Sequence, residues 1–124
     1  MRRAALAATV AALVAGGDAG AAAPRDARSA APARLLVEAR EFNLTLSRSK
    51  IKHGLAIVQL ANQGEDPHDL AIKRIGGKRR GAIAETRPAE LGEWEGRLRR
   101  GRYRLYCTLE GHRALGMRAV LRVR

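Results

Sequence analysis

The sequence feature that most constrains the fold is a short stretch near the end of the chain, residues 106–117. It reads C-x4-H-x4-M and contains the only cysteine, Cys107, followed by His112 and Met117, with a glycine directly before each of the last two. A thiolate, an imidazole and a thioether on one loop suit a soft or borderline transition metal, and copper above all. Such a loop supplies three ligands, so a fourth must come from another part of the chain, and His68 is the candidate.

Hydrophobic residues alternate with polar ones through much of the sequence after residue 33, which predicts β-strands. They recur at positions 35, 37 and 39 and then, with the opposite parity, at 42, 44 and 46, so we expect a bend or bulge near residues 40–41. Further short strands are predicted near residues 55–60, 68–72, 82–85, 93–98, 102–107 and 118–124. About eight short, mostly antiparallel strands with turns between them indicate an all-β sandwich.

The parity of these strands predicts that three of the candidate ligands face the core. Side chains alternate between the two faces of a strand, and His68, Cys107 and Met117 are each in phase with hydrophobic residues of their own strand. These ligands should therefore meet at one end of the sandwich, where the loop brings in His112. The strands that carry Cys107 and Met117 are expected to pair, because only a short loop joins them.

The first third of the chain differs in composition and predicts an exported protein. Two arginines lie near the start, an apolar run covers residues 4–15, and an Ala-Ala-Ala triplet at residues 21–23 offers a cleavage site. This is the pattern of a secretory signal peptide, residues 1–23, and its apolar run is too short for a membrane span. Residues 24–33 are small, polar and proline-bearing, so we expect a disordered lead-in. Residues 34–124 form the predicted copper-binding domain, and the expected location is the periplasm or the cell exterior.

The size of this domain favours a bound metal. Roughly 90 residues bury only a modest core, and exported domains of this size often depend on disulfides or a metal. Cys107 has no second cysteine with which to form an internal disulfide. A metal is therefore the stabilising cross-link that remains.

The chain is strongly basic. It has 24 Lys and Arg against 12 Asp and Glu, a formal net charge of +12, and much of the excess lies in residues 73–80 and 97–104. A solubilising surface is the simplest interpretation of this charge. An acidic protein partner, or loose association with an anionic envelope surface, is the more specific interpretation. Nucleic acid is not expected as a partner, because the protein is predicted to be exported.

Four short pieces of the sequence occur together in one order. They are Glu41-Phe42, N-x-G-x-x-x-H-D-L at residues 62–70, G-x-Y-x-x-Y-C at residues 101–107, and the C-x4-H-x4-M pattern that follows. In this order they resemble the cupredoxins, the small blue copper proteins that include plastocyanin, azurin and auracyanin. The resemblance spans almost the whole predicted domain and implies a Greek-key β-sandwich.

By the same resemblance, the metal is one mononuclear type 1 copper ion. His68, Cys107 and His112 would be its strong ligands, and Met117 its weak axial ligand. Such a ligand set is a compromise between the geometries that Cu(I) and Cu(II) prefer, so little has to move when an electron is exchanged. Zinc is the competing metal, but its structural sites use cysteine and histidine and rarely a thioether. The single cysteine excludes a binuclear copper site.

The resemblance also implies roles for three residues near the ligands. Asn62 and Asp69 are candidates for side chains that support the ligand loops. Many members of the family have asparagine at the position of Asp69, and an ionised aspartate can accept backbone N–H bonds but cannot donate. Tyr106 matches an aromatic residue that the family can use as a remote electron port, and an ordinary surface tyrosine is the alternative. His53 has no partners in the pattern and is expected to be an exposed turn residue.

The predicted function is a one-electron carrier of the cell envelope, in which copper alternates between Cu(I) and Cu(II). The protein is expected to be a monomer that exchanges electrons with an acidic redox protein. The alternative is a copper-binding or copper-delivery protein of the envelope without an electron-carrier role, and a structural sandwich with a vestigial metal motif is a third interpretation. An enzyme is not expected, because the sequence contains no recognisable nucleophile with a base and no paired carboxylates. A multicopper oxidase is not expected either, because there is no H-x-H pair.

Overall fold

The computed structural model describes residues 30–124, together with Gly16, Gly17 and Gly20. Apart from those three glycines, the predicted signal peptide at residues 1–23 lies outside the described residues, and so do residues 24–29 of the predicted lead-in. Among residues 30–124, the first strand begins at Ala33, one residue before the predicted start of the domain. None of the helices within the described residues is long and apolar enough to cross a membrane.

The described part of the chain consists of nine β-strands and one short helix. In order they are β1 (Ala33–Arg40), β2 (Asn43–Leu46), β3 (Lys50–Ile51), β4 (Gly54–Asn62), β5 (His68–Arg74), β6 (Arg79–Thr86), β7 (Leu91–Leu98), β8 (Gly101–Tyr106), α1 (His112–Leu115) and β9 (Arg118–Val123). The predicted all-β sandwich is confirmed, with nine strands instead of about eight.

The strands form two facing sheets. One has four strands in the order β2-β1-β4-β7, and the other has five in the order β3-β9-β8-β5-β6. Most pairs are antiparallel, as predicted, but β1 with β4 and β3 with β9 are parallel. These parallel pairs arise because the chain crosses from the first sheet to the second between β2 and β3 and returns at β4.

The change of parity near residue 40 is a hairpin, so the predicted bend or bulge within a strand is wrong. β1 ends at Arg40, which pairs directly with Asn43, and Glu41 and Phe42 form the two-residue turn between them. Ala39 faces Leu44 across the pair, so both side chains remain on the core-facing side. A reversal of the chain and a kink in one strand leave the same sequence pattern, because both change the parity of the buried positions.

The core lies between the two sheets and is built from the alternating rows that the sequence predicted. In β1 the buried positions are every second residue, and β8 has the same pattern. The largest fully buried side chain is Tyr103, whose hydroxyl donates to the carbonyl oxygen of Arg99 at 2.8 Å. Burial of each such side chain contributes about 1.5–3 kcal/mol. The buried rows of β5 and β8 run to the end of the sandwich where the candidate ligands lie.

Candidate metal centre

Three of the predicted ligands converge at one end of the sandwich. The nearest ligand atoms of His68, Cys107 and His112 all lie within 4.8 Å of one another. The Nδ1 atoms of the two histidines are 3.3 Å apart, and the Sγ of Cys107 lies 3.6 Å from the Nδ1 of His112. His68 and Cys107 are completely buried, whereas His112 is partly exposed. Two imidazole nitrogens and one sulfur therefore face a common point at the edge of the core.

Neighbouring strands bring His68 and Cys107 together. β5 pairs with β8 in the antiparallel sense, and Ala71 lies opposite Tyr106. His68, at the start of β5, and Cys107, directly after β8, therefore lie at the same end of the sheet. Both side chains point inward, as their parity predicted.

The loop from Cys107 to Met117 brings in His112 and is closed by main-chain hydrogen bonds. The N–H of Cys107 donates to the carbonyl oxygen of Met117, and the N–H of Met117 donates to that of His112, both at 3.1 Å. β8 and β9 pair on either side of the loop, which confirms the predicted pairing. Met117 is completely buried and belongs to the hydrophobic core cluster. Its role as axial ligand stays a prediction.

Glu41 contacts the cluster, although the sequence analysis assigned it no role beyond its place in the family pattern. Its Oε1 accepts a hydrogen bond from the Nε2 of His68 at 2.8 Å. The same oxygen accepts backbone N–H bonds from Glu65 and Asp66 at 2.9 and 2.8 Å. These backbone bonds, more than the one from His68, lower the pKa of Glu41 to about 2. In the sequence, the only indication of this contact was an acidic residue next to Phe42. Spacing along the chain does not show which distant loop a side chain in a turn will contact.

Phe42, the other residue of the β1–β2 turn, packs against the second histidine. Its ring meets that of His112 edge-on, with centroids 5.1 Å apart and an interplanar angle of 70°. Its carbonyl oxygen approaches Gly116 so closely that a Cβ there would lie only 2.8 Å away, and Gly116 has a φ of +128°. The turn therefore contacts both histidines of the cluster, one through each of its two residues.

Asn62 and Asp69 hold the segments on either side of His68. Asn62 is buried, and its amide donates to the carbonyl oxygens of Asp66 and Thr86 at 2.7 and 2.9 Å. The carboxylate of Asp69 accepts the backbone N–H of Thr108 at 2.6 Å and also the hydroxyl of that residue. Asp69 thus joins β5 to Thr108, the residue that follows Cys107, and acts only as a hydrogen-bond acceptor in doing so.

Burial raises the pKa of the Cys107 thiol. Without a metal, the thiol therefore resists losing its proton, and metal binding must release that proton to form the thiolate ligand. Metal binding to this cluster is for this reason coupled to proton release.

Tyr106 lies on the opposite face of β8, between cationic side chains. The guanidinium of Arg113 lies 4.4 Å from the centroid of its ring, and Arg79 donates to its hydroxyl at 3.4 Å. The hydrogen bond from Arg79 lowers the pKa of Tyr106. His53 is an exposed turn residue, as predicted, with its Nδ1 2.9 Å from the carbonyl oxygen of Arg124.

Comparison with known proteins identifies the fold by structural similarity and not by sequence similarity. No protein-family model matches the sequence, and no curated protein matches it. Among solved structures, dithionite-reduced auracyanin from Roseiflexus castenholzii matches with a TM-score of 0.62 at 16% identity, over 73% of this chain and 96% of that chain. Auracyanin A, a "blue" copper protein from Chloroflexus aurantiacus, matches with a TM-score of 0.63 at 13% identity, over 76% and 100% of the two chains.

Two further solved structures extend this likeness. Auracyanin B matches with a TM-score of 0.60 at 18% identity, over 76% of this chain and 91% of that chain. A multicopper oxidase matches with a TM-score of 0.54 at 15% identity, but only 43% of that chain is covered. Likeness at these identities shows a shared fold.

Proposed function

We propose that this chain, which has the β-sandwich fold of the cupredoxins, binds one type 1 copper ion and carries one electron at a time. The observation that carries the proposal is the convergence of His68, Cys107 and His112 within 4.8 Å at the end of the core. Imidazole and thiolate donors in a trigonal arrangement suit copper. Copper, when bound, supplies a Cu(I)/Cu(II) couple. Met117 is the proposed weak axial ligand.

The way the donors are held favours an electron carrier over a delivery protein. His68 and Cys107 have no exposed surface. The His68 ring donates a hydrogen bond to Glu41, and the backbone N–H of Cys107 donates to the carbonyl oxygen of Met117, so both residues are held in place. Rigid ligands keep the same geometry in either oxidation state, which suits electron exchange, whereas a delivery protein must present its ligands to a partner. The same burial denies a substrate access to the ion, so we propose that the protein is not an enzyme.

The partly exposed His112 is the proposed route by which electrons reach the surface. It opens α1, where Ala114 and Leu115 are exposed, and 62% of Leu115 is accessible to solvent. The exposed Glu110 and Arg113 interrupt this small apolar patch beside the ligand, so a partner that docks there would contact both apolar and charged groups.

The visible absorption spectrum of the Cu(II)-loaded protein tests the proposed function. Intense blue or green colour that bleaches on reduction is expected, because a thiolate bound to Cu(II) gives a strong visible transition. A colourless Cu(II) complex would exclude the type 1 assignment. Transfer of copper to a metal-free acceptor, without electron exchange with cytochromes, would favour the copper-delivery alternative.

Export to the periplasm or cell exterior is part of the proposal and rests on the sequence of residues 1–23. N-terminal sequencing of protein recovered from the producing cell's envelope or medium should begin near residue 24. Recovery of the uncleaved chain from the cytoplasm alone would contradict it.

Met117→Leu is expected to keep the colour and raise the reduction potential. Removal of the thioether takes away a weak donor that stabilises Cu(II) more than Cu(I), and leucine fills a similar volume, so the fold should lose less than about 1.5 kcal/mol. A spectroelectrochemical titration measures the change. Leu105→Met, another buried swap that leaves the axial position intact, is the control and should leave the potential near that of the wild type. A fall in potential for Met117→Leu would contradict the axial assignment.

We further propose that the partner is an acidic redox protein that docks on the outer face of the five-stranded sheet. This basic face consists of Lys73, Arg79, Arg102, Arg104, Arg118 and Arg122. Like charges lie directly opposite one another, since Lys73 faces both Arg79 and Arg104, and Arg102 faces Arg122. Such pairs are destabilising in the free protein, and within residues 30–124 none of these side chains forms an ion pair. An acidic partner would relieve this repulsion, and Tyr106 on the same face is covalently next to Cys107.

Charge reversal on the basic face is expected to slow electron exchange with a negatively charged cytochrome about tenfold or more at low salt, because steering raises association rates 10–10³-fold. Lys73→Glu with Arg104→Glu is the test pair. Arg34→Glu with Arg97→Glu changes the charge equally on the outer face of the other sheet and is the control. Stopped-flow rates at rising ionic strength should converge for all variants. Equal slowing by both pairs would show that only net charge matters and would exclude the basic face as the docking surface.

A further inference from the structure

The carboxylate of Glu41 faces the side of the His68 ring that points away from the donor cluster. The Nε2 of His68 lies 2.8 Å from the Oε1 of Glu41, and the Nδ1 of the same ring lies 3.3 Å from the Nδ1 of His112. A carboxylate can only accept, so the proton of the neutral ring must be on Nε2. This leaves Nδ1 unprotonated on the side of Cys107 and His112, where a metal ligand is needed.

Glu41 is itself held in place by the loop that precedes His68. Its Oε1 accepts the backbone N–H groups of Glu65 and Asp66. Gly64 leaves room for the carboxylate, because a Cβ at this position would lie 2.2 and 2.6 Å from its two oxygens. The side chain keeps only a quarter of its surface exposed. The carboxylate is therefore oriented before any metal binds, by contacts that do not involve the metal.

We propose that Glu41 is a positioning residue that fixes the tautomer and orientation of His68 and, through this charged hydrogen bond, shifts the bound copper toward Cu(II). Charge-assisted hydrogen bonds are about twice as strong as neutral ones, and a carboxylate that accepts from a ligating histidine raises the basicity of that ligand. A more basic imidazole stabilises Cu(II) relative to Cu(I). The effect on copper rests on the proposed function, whereas the effect on the tautomer concerns the metal-free protein.

Glu41→Gln tests the charge, and Glu41→Ala tests the contact. Glutamine has nearly the same shape and keeps an acceptor oxygen, so the fold should be retained. Glu65→Gln is the matched control, because it removes an exposed carboxylate charge from the loop that binds Glu41 and leaves the backbone donor to Glu41 unchanged.

The first readout is the tautomer of His68 in the metal-free protein, measured by long-range ¹H–¹⁵N correlation at mildly alkaline pH. Wild type and Glu65→Gln should show the Nε2–H form, and Glu41→Ala should lose this preference. A wild-type ring protonated on Nδ1, or an unchanged tautomer in Glu41→Ala, would overturn the proposal whether or not copper binds.

The second readout is the copper-loaded protein. Glu41→Ala should weaken Cu(I) binding about 10–100-fold, in the range found for residues that orient metal ligands, and Glu41→Gln should raise the reduction potential more than Glu65→Gln does. Equal shifts in the two glutamine variants would overturn the proposed effect on copper. If the copper-loaded wild type shows no type 1 colour but its metal-free form has the Nε2–H tautomer, the proposed function is rejected. The positioning role of Glu41 is then still supported.

Discussion

Cys107→Ser is expected to abolish the visible colour of the Cu(II) protein. The colour arises from the thiolate, and a buried serine hydroxyl does not ionise to replace it, since the Cys107 side chain has no exposed surface. The change replaces one atom, and the hydrogen bond from the backbone N–H of residue 107 to Met117 does not involve the side chain. The sandwich should therefore fold, and Cu(I) affinity should fall more than about 100-fold, because residues that only orient ligands are already worth about 10–100-fold.

Absorption spectroscopy and a competition titration with a chromophoric Cu(I) chelator measure this result. His53→Ala is the control, because it removes a histidine that lies outside the cluster. It should keep both the colour and the affinity. Retention of intense colour in Cys107→Ser would mean that the sulfur is not a ligand, and the proposed copper site would then be wrong.

Tyr103→Ala is expected to give the largest loss of stability, about 3–5 kcal/mol, as for other large aromatic residues truncated in a core. Tyr103 is the largest fully buried side chain, and its hydroxyl bonds to the carbonyl oxygen of Arg99. A domain of this size has only about 5–15 kcal/mol of stability in total. Because Tyr103 lies in the inward row of β8 that continues to Cys107, this loss should also loosen the metal-free donor cluster.

Denaturant unfolding of the metal-free protein measures the change. Tyr103→Phe keeps the ring and removes only the hydroxyl, so it should cost about 0.5–1.5 kcal/mol, the net contribution of one hydrogen bond to an acceptor on an exposed residue. Tyr106→Ala is the matched control, because it truncates the same residue type on the outer face of the same strand. It should cost about 1 kcal/mol or less, mainly through its contact with Arg113. Equal losses for Tyr103→Ala and Tyr106→Ala would contradict the assignment of the core face.

Local patterns in the sequence were enough to predict the features that depend only on residues close together in the chain. Strict alternation along a strand fixed which residues of β5, β8 and β9 face inward, so the inward direction of His68 and Cys107 followed from parity. The short spacing between Cys107 and His112 limited them to one loop, and the shortness of this loop predicted that β8 and β9 pair. These inferences succeeded because each concerns residues that are close along the chain.

The pairing of segments that are distant in the chain could not be predicted from the sequence. The change of parity at residues 40–42 is consistent both with a kink within one strand and with a reversal of the chain. Only the pairing of Arg40 with Asn43 shows that it is a hairpin. The parallel pairing of β1 with β4 likewise depends on the crossing between sheets, which no local pattern encodes.

By itself, the sequence determined the residue types of the candidate donors and the inward direction of His68 and Cys107, because these depend on residue type and on a fixed backbone period. Only the tertiary structure decided that the Glu41 carboxylate meets the Nε2 of His68, and that the cationic side chains of four strands share one face. Contacts of this kind join residues far apart in the chain. They exist only after the two sheets have packed, because it is this packing that sets the distances on which hydrogen bonds and charge interactions depend.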